Sequence, residues 1–282
     1  MVPGQVNLTL IVPLDEPIPP PEQIDKRWLT AVLKKNGALI AGEIRRLEVD
    51  YSNSTNSHIT RIRIEYDPET RGDAHRSLIL KTVDAEAGFI QRSEVDYYTR
   101  DYLGLTDAPI PKCCAAHVSD GGSYSILMED LSSTHEKDTS PSLEYGQAVA
   151  AALARLHAFG WGEERIRQLG GCIPNNSKIG QYVDDLSYLM VQYWDTKLRQ
   201  DLETSILRVY HRQLIPNGVA SYDWDQLIAD YKLCAVQAVY TVAEWCIKAE
   251  DRERMRWLWR LELDRAMHAF FDLSCGELWP SR

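Results

Sequence analysis

Segments with a two-residue apolar period end near residue 130, and segments with a helical period fill the chain beyond it. That segregation excludes an alternating βαβ architecture. It predicts an α+β chain with its strands gathered in one lobe and its helices in another. His58 to Tyr66 carries the clearest alternation, with Ile59, Ile62, Ile64 and Tyr66 set against Arg61, Arg63 and Glu65, although Ile62 is one position out of step. Glu43 to Val49 alternates less regularly through Ile44, Leu47 and Val49, and Ser77 to Thr82 is a compact apolar run that carries Lys81 near its end. Polar stretches at 50–57 and 67–76 read as loops between these three strands, so a meandering antiparallel sheet is the simplest arrangement. Two further strands fit Pro111 to Val118 and Ser123 to Glu129, joined by the turn signal Asp120-Gly121-Gly122.

Helices are predicted around and after this sheet. Asp25 can cap a short helix over Lys26 to Asn36, whose Trp28, Leu29, Val32 and Leu33 follow helical spacing. A tyrosine-rich amphipathic helix is expected from about Ala87 to Tyr102, between the third and fourth strands. Ser142 caps a long alanine-rich helix reaching about Phe159, and everything beyond Val183 reads as helical. Residues 1–24 form an N-terminal arm with a proline cluster at Pro17 to Pro21. The divisions predicted are that arm, a strand-rich lobe over 25–131 and a helical lobe over 132–282.

Composition narrows the function classes. A net charge of −10 argues against nucleic acid as a partner, since phosphate backbones need clustered Lys and Arg. The six cysteines show no CxxC or Cys/His ligand spacing, so they are read as reduced, mostly buried thiols. No run is apolar for long enough to span a bilayer, and no signal-peptide layout opens the chain, so the expected partners exclude membrane and the expected location is the cytoplasm.

Lys81 and Glu94 carry the chemistry. A strand lysine paired with a carboxylate on the next helix is a way to hold nucleotide phosphates: the ammonium supplies charge and the carboxylate fixes its position. The bland alternative is a solvated strand-end lysine and a surface glutamate. Ser125 to Leu131, an apolar strand breaking into an acidic turn, adds a third element where backbone groups can meet a planar base; its bland reading is an edge strand and a loop.

The ordered set Leu78-Ile79-Leu80-Lys81, Ser93 to Tyr98, Leu127 to Leu131, Ala154-Arg155-Leu156-His157-Ala158 and Asp185-Leu186-Ser187-Tyr188-Leu189 resembles the aminoglycoside phosphotransferase family, including its ecdysteroid-kinase-like branch, within the protein-kinase-like superfamily. The likeness continues through Tyr210-His211, Tyr222-Asp223-Trp224 and Asp230-Tyr231, covering about Trp28 to Tyr240. It implies a kinase-like two-lobe fold, with an antiparallel five-stranded N-lobe, one inserted helix and an all-helical C-lobe. It also implies ATP as cofactor and a small-molecule acceptor. In that reading Lys81 contacts phosphates, Glu94 orients it, and Met128, Glu129 and Leu131 hold adenine. Ser54 and Asn56, in the glycine-free loop Ser52 to Ser57, would supply phosphate donors from side chains.

The family's catalytic loop, His-Gly-Asp followed by Asn, and its metal-binding Asp have no counterpart between Phe159 and Asp184. Mg²⁺ therefore has no expected ligand set, and no catalytic residue is assigned. Asn175 or Asn176 with Asp184 or Asp185, and His135 with Asp138, offer oxygen or nitrogen donors but sit in ordinary turn or helix contexts. His157 and His211 read as helix packing residues. The expectations that remain open are three: a phosphotransferase impaired in catalysis, a pseudokinase that binds ligand and works through a partner, and an internally deleted variant without function. The tryptophans of the helical lobe, Trp194, Trp224, Trp245, Trp257, Trp259 and Trp279, fit either a ligand pocket or a surface for self-association.

Overall fold

The structure, a computed structural model, describes residues 14, 17–53, 57–84, 91–102, 104–105, 107–135, 140–161, 183–247 and 255–279, with backbone alone at 52–53 and 91–93. It is a mixed α+β structure containing a five-stranded antiparallel sheet and several helices. The chain divides into two compact units, one holding the described residues up to 135 and the other those from 140 onward.

In the first unit, α1 (Lys26–Lys35) begins where Asp25 accepts a hydrogen bond from the Trp28 amide at 2.7 Å. It ends on Lys34 and Lys35, which suit the negative end of the helix dipole. The sheet runs in the order β2 (Ile44–Asn53), β3 (His58–Tyr66), β5 (Ser77–Val83), β7 (Tyr124–Glu129) and β6 (Cys113–Val118), every neighbour antiparallel. The first three strands form the expected meander. The chain then crosses to the far edge and returns, which seats β7 beside β5.

Two details depart from the sequence reading. β2 continues through Asn53, so the stretch from Asp50 belongs to the strand rather than to the loop. Cross-strand pairing explains this, because Asp50 lies opposite Arg61 and within 4.0 Å of Arg63, so polar residues extend the ladder. The stretch 67–76 is likewise more than a loop: β4 (Arg71–Gly72) pairs with β1 (Leu39–Ala41). Gly72, at φ +125°, allows that approach, since a Cβ there would lie 2.4 Å from the Ala38 carbonyl oxygen.

Alternation along the strands gives the sheet two different faces. Leu78 and Leu80 of β5 with Leu127 of β7 pack toward Leu29, Val32 and Leu33 of α1. Ile79 and Val83, with Tyr124, Ile126 and Met128, pack toward Val95 and Tyr98 on the other side. Those two residues come from the expected tyrosine-rich helix, whose described part is α2 (Gln91–Asp96) followed by π-helical turns over Tyr97–Asp101. Alternation along β6 sends Cys113 to the α2 side and Cys114 to the α1 side, so adjacent cysteines stay unbridged, and the register shift between Cys113 and Ala115 keeps Ala115 on the α1 side with Cys114.

In the second unit, α3 (Leu143–Gly160) starts at Ser142, whose hydroxyl accepts from the Tyr145 amide at 3.1 Å. A turn of α4 (Asp184–Ser187) runs into π-helical turns over Tyr188–Tyr193, followed by α5 (Thr196–Leu214), α6 (Trp224–Ile247) and α7 (Arg256–Asp272). The small residues of α3 have a packing reason. Gly146, Ala150 and Ala154 repeat every fourth residue, and a Cβ on Gly146 would meet Ile206 Cδ1 of α5 at 2.4 Å. Close helix approach there buries Ile206, Trp194 and Tyr210 completely or nearly so. Arg199, 1% exposed, is buried with its charge met by Glu203 at 2.6 Å and by Asp272, so α5 is tied ionically to α7.

Candidate functional site

Lys81 and Glu94 meet. The Lys81 ammonium donates to both carboxylate oxygens of Glu94, at 2.7 and 2.8 Å. Two of the three ammonium N–H directions are thereby committed. The pair is partly open to solvent, with side-chain exposures of 27% and 21%. It lies on the α2 face of the sheet, over Ile79, Val83 and Ile126.

Tyr124 completes the cluster. It lies opposite Val83 on β7, and its hydroxyl donates to the Glu94 oxygen Oε2 at 2.5 Å. Burial first, and then the Glu94 carboxylate, push this phenol above the ordinary tyrosine range, so it stays a donor. The neighbouring Tyr98 is pushed up to about 12, mainly by burial and secondly by Glu94. Glu94 is thus fixed by three hydrogen bonds from two strands, and it in turn fixes the ammonium.

The segment after β7 is anchored rather than loose. Asp130 accepts from Arg61 Nε at 2.8 Å, from the Ser77 hydroxyl at 2.7 Å and from the Ser132 amide at 3.0 Å. Burial alone would raise its pKa, but Ser132, Ser77 and the Arg61 guanidinium outweigh it and hold the carboxyl down to about 2. The Glu129 amide donates to the Lys112 carbonyl and the Asp130 amide to the Ser77 carbonyl. Met128 is on the Lys81 face, 9% exposed. Glu129 alternates to the opposite face, pairs in register with Leu78, and accepts from the Lys112 amide at 2.7 Å. Leu131 is half-buried, and its carbonyl accepts from the amides of Thr134 and His135.

Ser54 and Asn56 lie outside the described residues, as do Asp138, Asn175 and Asn176. Ser52 and Asn53 pair through their backbones with Ile59 and His58 of β3, and Ile59 in turn pairs with Lys81 of β5. Among the described residues no three His, Cys, Asp or Glu side chains converge as metal ligands. In the second unit His157 is buried, and its ring nitrogens lie 2.8 Å from the Tyr210 hydroxyl and 2.9 Å from Asp185 Oδ2. The histidine therefore packs and is also fully hydrogen-bonded. His211 bonds the Tyr222 carbonyl at 2.8 Å.

Tyr124 was missed at the sequence level, and Asp130, read there as part of the acidic turn, was not foreseen as the tie to Arg61 and Ser77. The signal for Tyr124 was available, since it shares its parity along β7 with Ile126 and Met128. Which face of β7 looks at Lys81 depends on the β5–β7 register, and that is set only by long-range pairing. The chain matches no protein-family model, no curated protein and no solved structure.

Proposed function

We propose that this protein is by descent an ATP-dependent small-molecule O-kinase of the aminoglycoside-phosphotransferase-like kind, one that keeps a nucleotide site and has lost most of its phosphoryl-transfer machinery. The first unit corresponds to the N-lobe of a kinase-like fold and the second to a reduced helical C-lobe. One observation carries this reading: a lysine on the third long strand donates to both oxygens of a glutamate on the following helix, beside the strand that leads into the acidic turn. A surface lysine with no task gains little from such an arrangement, because partly exposed ion pairs contribute little to stability.

In this reading Lys81 neutralises ATP phosphate oxygens and Glu94, held by Tyr124, keeps the ammonium from swinging into solvent. Ile79 and Met128 offer apolar surface to the base. The amides of Glu129 and Asp130 are committed within the sheet, which leaves the Leu131 amide for the adenine edge. Phosphoryl transfer relies on metal charge and positioning, and the sequence lacks the catalytic-loop Asp and Asn and the second Asp that would supply them. ATP binding is therefore weak and depends little on Mg²⁺. A thermal-shift titration with ATP tests this, with Lys81→Met as the control expected to lose the response.

A second reading, a pseudokinase working through a second copy of itself, is favoured by α7. Its outer face exposes Trp257, Leu261, Met267 and Phe271, with Trp257 68% and Phe271 67% accessible. The pattern is symmetric about Asp264. Antiparallel packing of two copies would set Trp257 against Phe271 and Leu261 against Met267, and would bring each Arg260 within a helical turn of the other copy's Asp264.

A further inference from the structure

The second unit carries a basic groove that the nucleotide reading does not use. It is an open surface groove of about 500 Å³, lined by Gln147 of α3, by Ser205, Arg208, His211 and Arg212 of α5, and by Trp224 at the start of α6. Arg208 lies over the Trp224 indole, 4.4 Å from guanidinium carbon to ring centroid. That stack fixes the guanidinium plane and leaves its N–H edge for a ligand. Arg212, one turn further along, is steadied by donation from its Nε to the Arg208 carbonyl at 3.2 Å. His211 packs edge-on against Trp224 at 5.9 Å and is held by the Tyr222 carbonyl, so the indole is braced from a second side.

The charge balance here runs against that of the chain as a whole, which has 41 acidic residues to 31 basic ones. Two arginines four apart on one helix repel each other and cost helix stability unless something anionic sits between them. Among the described residues neither guanidinium makes an ion pair. Of the acids on α5 and around the start of α6, Asp201 is committed to Lys197, Glu203 to Arg199, Asp223 to the Gln226 amide and Asp230 to the Tyr222 hydroxyl, while Asp225 beside Trp224 and Glu144 one turn from Gln147 add negative charge at the margin. Ser205 and Gln147 add a hydroxyl and a side-chain amide to the same wall.

We propose that this groove binds the phosphate group of a small organic phosphate ester. Two guanidinium forks with a hydroxyl and an amide can serve the three non-ester oxygens of a phosphate, whereas a carboxylate has only two oxygens to offer. The volume exceeds what a bare phosphate fills, so the ester's organic part has room beside Trp224 and Gln147. The site is independent of Lys81.

The test is calorimetric titration of the full-length chain with phenyl phosphate, inorganic phosphate and acetate. Saturable binding is expected in the order phenyl phosphate, inorganic phosphate, acetate. It should weaken about tenfold or more in Arg208→Gln/Arg212→Gln, weaken less in Arg208→Lys/Arg212→Lys, and stay unchanged in Lys35→Gln, which removes an exposed cation of the first unit. Both arginines are exposed, so the variants should keep the wild-type circular dichroism spectrum, which is checked first. An absence of saturable phosphate binding, or equal binding by the glutamine variant, overturns the site. An equal loss of binding in Lys35→Gln would show that bulk charge rather than the groove holds the anion, and would overturn it too. Inorganic phosphate binding as tightly as phenyl phosphate would overturn the assignment of an ester.

Discussion

Lys81 and Tyr124, on adjacent strands, hydrogen-bond the same oxygen of Glu94, at 2.8 and 2.5 Å. Glu94 is therefore held from two directions before any ligand arrives. Preorganisation of this kind is what a phosphate-contacting lysine requires, since an ammonium on a flexible stem otherwise points into water.

Replacing Tyr124 with Phe tests the brace while leaving the ring in the core. The loss of one part-buried hydrogen bond to a charged group should cost about 1.5–3 kcal/mol in urea denaturation. ATP affinity should fall in parallel, because Glu94 then orients Lys81 less firmly. Unchanged stability and unchanged affinity would show that the phenol is only a neighbour.

Asp130 makes stability depend on pH in acid. Its folded pKa, about 2, is below its ordinary value of 3.8. The stabilisation is therefore fully present above about pH 4 and disappears as the pH falls through the folded value. The difference amounts to about 2 kcal/mol. Denaturation midpoints measured between pH 5 and 2 should fall less steeply in Asp130→Asn, which should already be less stable than wild type at neutral pH.

Burial pushes the thiols of Cys113 and Cys114 up to about 12, so neither is ionised near neutrality. In a thiol-labelling time course at pH 8 both should stay unmodified until denaturant is added, and Cys246, only partly buried, should react well before them. Fast native labelling of the Cys113-Cys114 pair would contradict the core assignment.

The outer face of α7 should drive weak self-association. Light scattering at micromolar concentration should give a mass above that of the monomer, and Trp257→Ser/Phe271→Ser should restore the monomer. A monomeric wild type would remove the second-copy reading.

Much of the sheet was legible because its signals are local. Asp25 and Ser142 are caps whose acceptor role follows from residue type and position, and His58 to Tyr66 shows its pleat in its own sequence. What stayed hidden depends on partners distant in the chain. Asp50 through Asn53 join β2 only because β3 offers matching residues, and the two-residue strand at Arg71–Gly72 exists only against Leu39–Ala41. The Lys81 and Glu94 side chains could be singled out from residue type and spacing. That Glu129 turns away to the other face, and that Tyr124 turns toward Glu94, follows from a register no single segment encodes. The Arg208 and Arg212 groove went unnoticed because its lining comes from three helices.

Lys81, held by Glu94, is proposed to bind ATP without depending on a metal. The most direct measurement is a thermal-shift titration of wild type and Lys81→Met with ATP, in the presence of Mg²⁺ and in its absence. An upward shift is expected in wild type, nearly the same in both conditions and lost in Lys81→Met. No ATP response in either condition, or an equal response in Lys81→Met, would contradict it.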